Sequence, residues 1–168
     1  DLSLLQGMPL EYLDISGLKV DSLRGLEGLP LRELHFSNTK AADISPLRGM
    51  PLDVLVFKQT PVRDLEPLRG MKLRQLTCWM TGVHDLRPLK DMPLERLMIS
   101  HTGVANLWPV KGMPLKELNI THTPVRSPLA LRGMKLERLR LPQRSRFDDE
   151  SMAVVKELEA SGCEVLWP

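Results

Sequence analysis

Leucine returns along this chain at a fixed interval. The segments LRELHFSNTKAADISPLRGMP, LDVLVFKQTPVRDLEPLRGMK and LERLMISHTGVANLWPVKGMP superpose without gaps at a period of 21 residues. Six full copies start at Leu10, Leu31, Leu52, Leu73, Leu94 and Leu115, and a seventh begins at Leu136. The opening DLSLLQGMP matches the tail of an earlier copy. Counting from each of those leucines, position 4 is also Leu throughout (Leu13, Leu34, Leu55, Leu76, Leu97, Leu118, Leu139). Position 6 carries Ile15, Phe36, Phe57, Cys78, Ile99, Ile120 and Leu141. Apolar residues at positions 4 and 6 around a variable position 5 predict a short strand with one buried face. Positions 11, 14, 17 and 20 are apolar as well. Each copy therefore offers a strand and a return segment, and neither can bury its apolar side alone. Stacked copies build one continuous core, which is the physics of a solenoid.

The return segment is legible too. Position 13 is Ser22, Asp43, Asp64, Asp85, Asn106 and Ser127, all residue types that cap helix N-termini. Pro46, Pro67, Pro88 and Pro109 hold position 16, tolerable only within a first turn. Position 18 is basic in five successive copies and position 19 is Gly except at Asp91, a stop signal. The spacing predicts a single 3₁₀ or α turn in each copy. After Leu141, PQRSRFDDESMAVVKELEASGCEVLWP reads as a linker, a helix and a last strand. Asp148 or Asp149 caps that helix; Met152, Val155 and Leu158 face the last copy; Gly162 ends it, and Cys163 to Leu166 form the strand.

The shared pattern, LxxLxIxxTxVxDLxPLKGMP, resembles the leucine-rich-repeat family signature LxxLxLxxNxL, and the GMP punctuation with the short period resembles its bacterial members. The resemblance implies an α/β fold: a right-handed leucine-rich-repeat solenoid with a parallel sheet on its concave side, short turns on its convex side and a C-terminal helix–strand cap. Residues 1–9 form a partial repeat, 10–141 the repeats and 142–168 the cap, all in one domain of 1–168. A chain that opens in mid-repeat reads as part of a longer protein. Where the family carries Asn, this chain has Thr39, Thr60, Thr81, Thr102 and Thr123. A hydroxyl offers fewer donors than an amide, so the ladder between copies should be thinner here.

Composition narrows the function. With 42% hydrophobic and 26% charged residues and a net charge of +2, nothing pulls the chain toward nucleic acid or an anionic membrane. No apolar run approaches the roughly 18–20 residues that span a bilayer. Cys78 and Cys163 lie about four layers apart, or about 19 Å along the stack, too far for a disulfide. Free thiols favour a reducing, cytoplasmic setting.

Candidate chemistry is thin. His101 and His122 share position 8 of adjacent copies, but Met80 and Gln143 flank them in that column, and no further ligand pair has metal spacing. No nucleophile elbow or phosphate loop is present, so neither an enzyme nor a cofactor is expected. The basic column Arg48, Arg69, Lys90, Lys111 and Arg132 sits where cations complement a turn dipole. Position 2 alternates in sign down the whole stack, from Glu11 and Arg32 through Asp53, Arg74, Glu95 and Lys116 to Glu137, which supports a ladder rather than a ligand. Met8, Met50, Met71, Met92, Met113 and Met134 share core column 20; Met80 and Met98 do not.

Positions 3, 5, 7 and 8 point away from the core. In the third to fifth copies they hold Val54, Val56, Lys58, Gln75, Thr77, Trp79, Met80, Arg96, Met98 and His101. Apolar and aromatic residues exposed together on a polar sheet mark an interaction surface, with Trp79 its anchor. These residues are the predicted protein-binding site; neither nucleic acid nor membrane insertion is expected. The alternative from the sequence is a structural or regulatory arm of a larger multidomain protein, such as a bacterial Ser/Thr kinase, although no kinase motif lies in these residues.

Overall fold

The computed structural model describes residues 2–168. Strands β1 (Tyr12–Asp14), β2 (Glu33–His35), β3 (Val54–Val56), β4 (Gln75–Thr77), β5 (Arg96–Met98), β6 (Glu117–Asn119), β7 (Arg138–Arg140) and β8 (Glu164–Leu166) form one parallel sheet in sequence order. Its register keeps each core leucine opposite the next: Leu13, Leu34, Leu55, Leu76, Leu97, Leu118 and Leu139 pair in turn, and Val165 closes the row. The period in the sequence and the register in the sheet are thus the same fact. A slip of one residue would turn every leucine outward.

Along the strand segments, backbone hydrogen bonds stitch the layers at three levels. Position 6 donates to the position 5 carbonyl of the next copy, as from Phe36 to Val56 and from Cys78 to Met98, both at 2.9 Å. Positions 2 and 3 together donate to the preceding position 2 carbonyl, as Arg32 and Glu33 do to Glu11. Position 8 donates to position 7 of the next copy, as Asn38 does to Lys58 at 2.9 Å.

The return segments are 3₁₀ turns at Ser45–Leu47, Glu66–Leu68, Arg87–Leu89, Trp108–Val110 and Leu129–Leu131, preceded by one at Ser3–Leu5. Proline stands at the start of four of them. Position 13 acts one residue earlier than a helix cap. The Asp43, Asp64 and Asp85 carboxylates and the Asn106 amide oxygen accept from the backbone N–H two residues on, at 2.8–2.9 Å. The formal cap is the buried aliphatic at position 14, whose side chain makes no cap bond. The Ser45 N–H and hydroxyl hold the Asp43 carboxyl below the ordinary range, and the Arg87 guanidinium, then its backbone N–H, does the same for Asp85.

The threonine column departs from the family's ladder in a definite way. Each hydroxyl donates to the position 6 carbonyl of its own copy, as Thr39 does to Phe36 at 2.8 Å and Thr102 to Ile99 at 2.6 Å. The side chain closes a turn instead of bridging layers. Backbone does the bridging at this corner: Lys40, Gly82 and Gly103 donate to the position 11 carbonyl of the preceding copy. Pro61 and Pro124 hold the equivalent place in two other copies and have no N–H to give.

Two expectations need correction at the N-terminal end. Met8 belongs to core column 20 yet is 43% exposed, because only the first full copy packs against it. Its counterparts Met50, Met71, Met92, Met113 and Met134 are buried between two layers. The first full copy also lacks a 3₁₀ turn, since Gly25 takes a φ of 97° at the position where Ala130 and four prolines stay within the turn. At the other end α1 (Asp149–Ala160) is capped by Asp148, which accepts from the Ser151 N–H at 2.8 Å. Val155 and Leu158 are buried as anticipated, Met152 only partly, and Val154 joins them. Cys78 and Cys163 are both buried and unpaired, and burial pushes the Cys78 thiol up to about 12.

Position 19 tests the turn chemistry. Gly49, Gly70, Gly112 and Gly133 have φ of 72–76°, and Asp91 is held at 63° in the same place. A side chain with a Cβ is costly there, so Asp91→Gly should raise stability by about 0.5–1 kcal/mol, after the larger unfolded-state entropy of Gly is offset. Chemical denaturation checks this. An unchanged or lowered midpoint would show that the Asp91 carboxylate compensates its backbone.

Candidate partner-binding face

The predicted residues fall on one lattice. Parallel pairing sets Val54 beside Gln75 and Gln75 beside Arg96, and likewise Val56 beside Thr77 and Thr77 beside Met98. These six side chains occupy the outward positions of β3, β4 and β5. Val54, Val56, Gln75, Thr77 and Met98 are half-buried by their neighbours, and Arg96 is exposed. The Gln75 amide, oriented with its oxygen toward Arg96, accepts from the guanidinium.

Trp79 lies just beyond the end of β4, at position 7. It is half-buried, and the Lys58 ammonium stands 5.8 Å from its ring centroid, within cation–π range. The indole is thus held by a neighbouring layer rather than projecting freely.

Met80 and His101 belong to a different structural class from the other eight. Position 8 is left-handed in every one of the first six copies: Gly17, Asn38, Gln59, Met80, His101 and His122 have φ of 73°, 56°, 53°, 55°, 53° and 55°. These residues turn the chain out of the strand and form a ridge along the rim of the sheet. Met80 is 44% exposed. Gly17 and Asn38 were the readable signal, since Gly and Asn are the usual left-handed residues.

The same face extends further than the sequence reading took it. At its N-terminal end Tyr12 packs edge-on against His35, with centroids 5.7 Å apart. His35 Nε2 lies 2.8 Å from Glu33 and its Nδ1 3.9 Å from Asp14. The Asp14 carboxyl is held low by bonds from Ser16, with His35 adding to them. At the C-terminal end Arg138 bridges Glu117 and Glu164 at 3.7 and 2.8 Å, and Arg140 is exposed. Asp14, Glu33 and His35 thus flank the apolar patch at one end of the sheet, and an Arg138–glutamate cluster with Arg140 flanks it at the other.

Two charge columns resolve as structure. In position 2, Arg32 meets Asp53 at 3.7 Å, and Glu95 bridges Arg74 and Lys116, with 2.9 Å to the lysine. Those two bases, Lys116 first, lower the Glu95 carboxyl. On the convex side Arg69 pairs with Glu66 at 2.5 Å and Arg132 with Glu157 at 3.6 Å, while Lys111 stands 4.8 Å over Trp108. Three of the five cations in the basic column are therefore engaged by neighbours. Trp108 itself, 56% exposed, went unremarked in the sequence because position 15 has no apolar pattern.

No protein-family model and no curated protein matches the sequence. Among solved structures, the chain superposes on an internalin, inlF, from Listeria monocytogenes with a TM-score of 0.90 and 26% identity, over 99% of this chain and 50% of that one. It also superposes on internalin C2 of the same organism, with a TM-score of 0.66 and 17% identity, over 94% of this chain and 80% of that one. The chain spans about half the length of the inlF structure. With one parallel sheet in sequence order, short 3₁₀ turns outside it and a helix–strand unit closing its core, the chain has the leucine-rich-repeat fold and is similar in structure to the internalins.

Proposed function

We propose that the chain is a protein-interaction module that takes its partner on the outward face of β3–β5 and on the ridge beside it. One observation carries the reading. Trp79 stands with Val54, Val56 and Met98 on a lattice whose backbone is hydrogen-bonded on both sides, so the apolar patch is already ordered before anything docks. Binding to such a surface sacrifices little conformational freedom. Lys58 and Arg96 supply a charged rim around it, the usual anatomy of a docking face. We assign the chain no reaction. We also place it with the short-period bacterial repeats, on its uniform spacing and GMP punctuation.

The experiment compares capture from the source cell's lysate by the wild-type chain and by Trp79→Ala, with circular dichroism confirming that both are folded. A protein held by the wild type should bind Trp79→Ala about 30-fold more weakly, the loss typical of an interface anchor. Equal retention would remove Trp79 from the site. Retention by neither would favour the structural arm, with this face covered inside a larger protein.

A further inference from the structure

The left-handed ridge brings two histidines into an arrangement that the fold does not need. His101 and His122 occupy position 8 of consecutive copies with φ of 53° and 55°. Equal backbone conformation on successive layers makes their side chains translational copies of each other. Their rings stack at 4.1 Å between centroids, 20° from parallel. Both residues are exposed, and among the described residues neither ring has a hydrogen-bond or ion-pair partner. The backbone beneath is firm, since the His101 N–H donates to the Thr121 carbonyl at 3.0 Å. On the next layer of the same ridge stands Met80, exposed and with a φ of 55°.

We propose that this Met–His–His ridge is a binding site for a late first-row transition-metal ion, copper above all. An ion bonded to two imidazole nitrogens at about 2.0–2.1 Å and a right angle needs those nitrogens about 2.9 Å apart. From the stacked pose, opposing side-chain rotations of about 45° each turn the two in-plane nitrogen lone pairs toward one ion at that angle. Imidazole suits Cu(II), Ni(II) and Zn(II), of which Cu(II) binds tightest to a given nitrogen set. The thioether of Met80 is a soft donor, so it adds affinity for Cu(I) and little for Ni(II). Asn119 is not a competing ligand, because its side-chain oxygen accepts from the Thr121 N–H and hydroxyl.

Glutamine is the substitution to use, because Gln59 already occupies the same left-handed position in another copy with a φ of 53°. Calorimetric titration of the whole chain at neutral pH, in a non-coordinating buffer, should show one Cu(II) bound per chain. His101→Gln and His122→Gln should each weaken Cu(II) and Ni(II) by at least about tenfold. His35→Gln and His84→Gln should leave both unchanged. Equal Cu(II) binding by the wild type and by the double variant His101→Gln/His122→Gln would overturn the site. For Cu(I), held reduced by ascorbate and measured by competition with bicinchoninate, Met80→Leu should weaken binding roughly threefold or more while leaving Ni(II) unchanged. An unaltered Cu(I) affinity would remove Met80 from the donor set.

Discussion

Replacing Phe57 by Ala should lower stability by about 3–5 kcal/mol. Phe57 is fully buried at position 6 of the third copy, and its ring stacks on Phe36 at 5.2 Å between centroids and 15° between planes. The layers above and below are held at the spacing of parallel strands, about 4.8 Å, so the void cannot close by sliding one copy toward the next. On the far side lies Cys78, too small to swing into the space. Equilibrium denaturation measures the loss, and Phe57→Leu, which keeps most of the volume, should lose less than about 1.5 kcal/mol. In a one-dimensional stack the damage is local. Amide exchange should therefore rise most around the second to fourth copies and least near α1. A loss for Phe57→Ala no larger than that for Phe57→Leu would mean that this layer repacks freely.

Gly25→Ala should be the next most damaging change, at about 2–4 kcal/mol. A Cβ there would lie 2.6 Å from the Ser3 nitrogen, 2.7 Å from the Leu2 carbonyl carbon and 2.9 Å from its oxygen, all of them backbone. The φ of 97° adds strain of its own. Gly25 thus lets the leading segment lie directly against the first full copy, in the place where four later copies carry proline. Gly28→Ala isolates the second term, because it has a φ of 72° and open space around its added methyl. The difference between the two variants measures the clash. Limited proteolysis near Ser3–Leu5 should accelerate in Gly25→Ala alone. Equal losses in the two variants would show that the segment moves aside at no cost.

Much of this architecture could be read from the chain because its information is repeated. One leucine column is ambiguous, but seven aligned copies fix period, register and strand position together. The acids at position 13 and the prolines at position 16 likewise announced a short turn. What escaped were features set by neighbours rather than by pattern. Met8 looks identical to Met50 in its copy but is covered on one side only. Trp79 is expected among the exposed residues of that face, yet Lys58 and the adjoining layer half-cover it. Met80 and His101 were assigned to the outward face, but their backbone conformation puts them on its rim. Gly17 and Asn38 carried that signal, and it was visible only when position 8 was read as a column. The charged clusters that flank the patch, Asp14 with Glu33 and His35 at one end and Arg138 with Glu117 and Glu164 at the other, needed all the outward positions taken together.

The alternating charges of position 2 bear on how such a chain can change its number of copies. Arg32 with Asp53, and Glu95 with Arg74 and Lys116, show that neighbours in this row do meet. Because the sign flips at every layer, the row has a parity. Gaining or losing one copy within it sets two like charges side by side, whereas gaining or losing two restores the alternation. Each such clash is weak at an exposed site, but it falls in the same direction every time. Duplication by pairs is therefore the path of least resistance for this solenoid, and the unit that lengthens it is twice the unit that builds it.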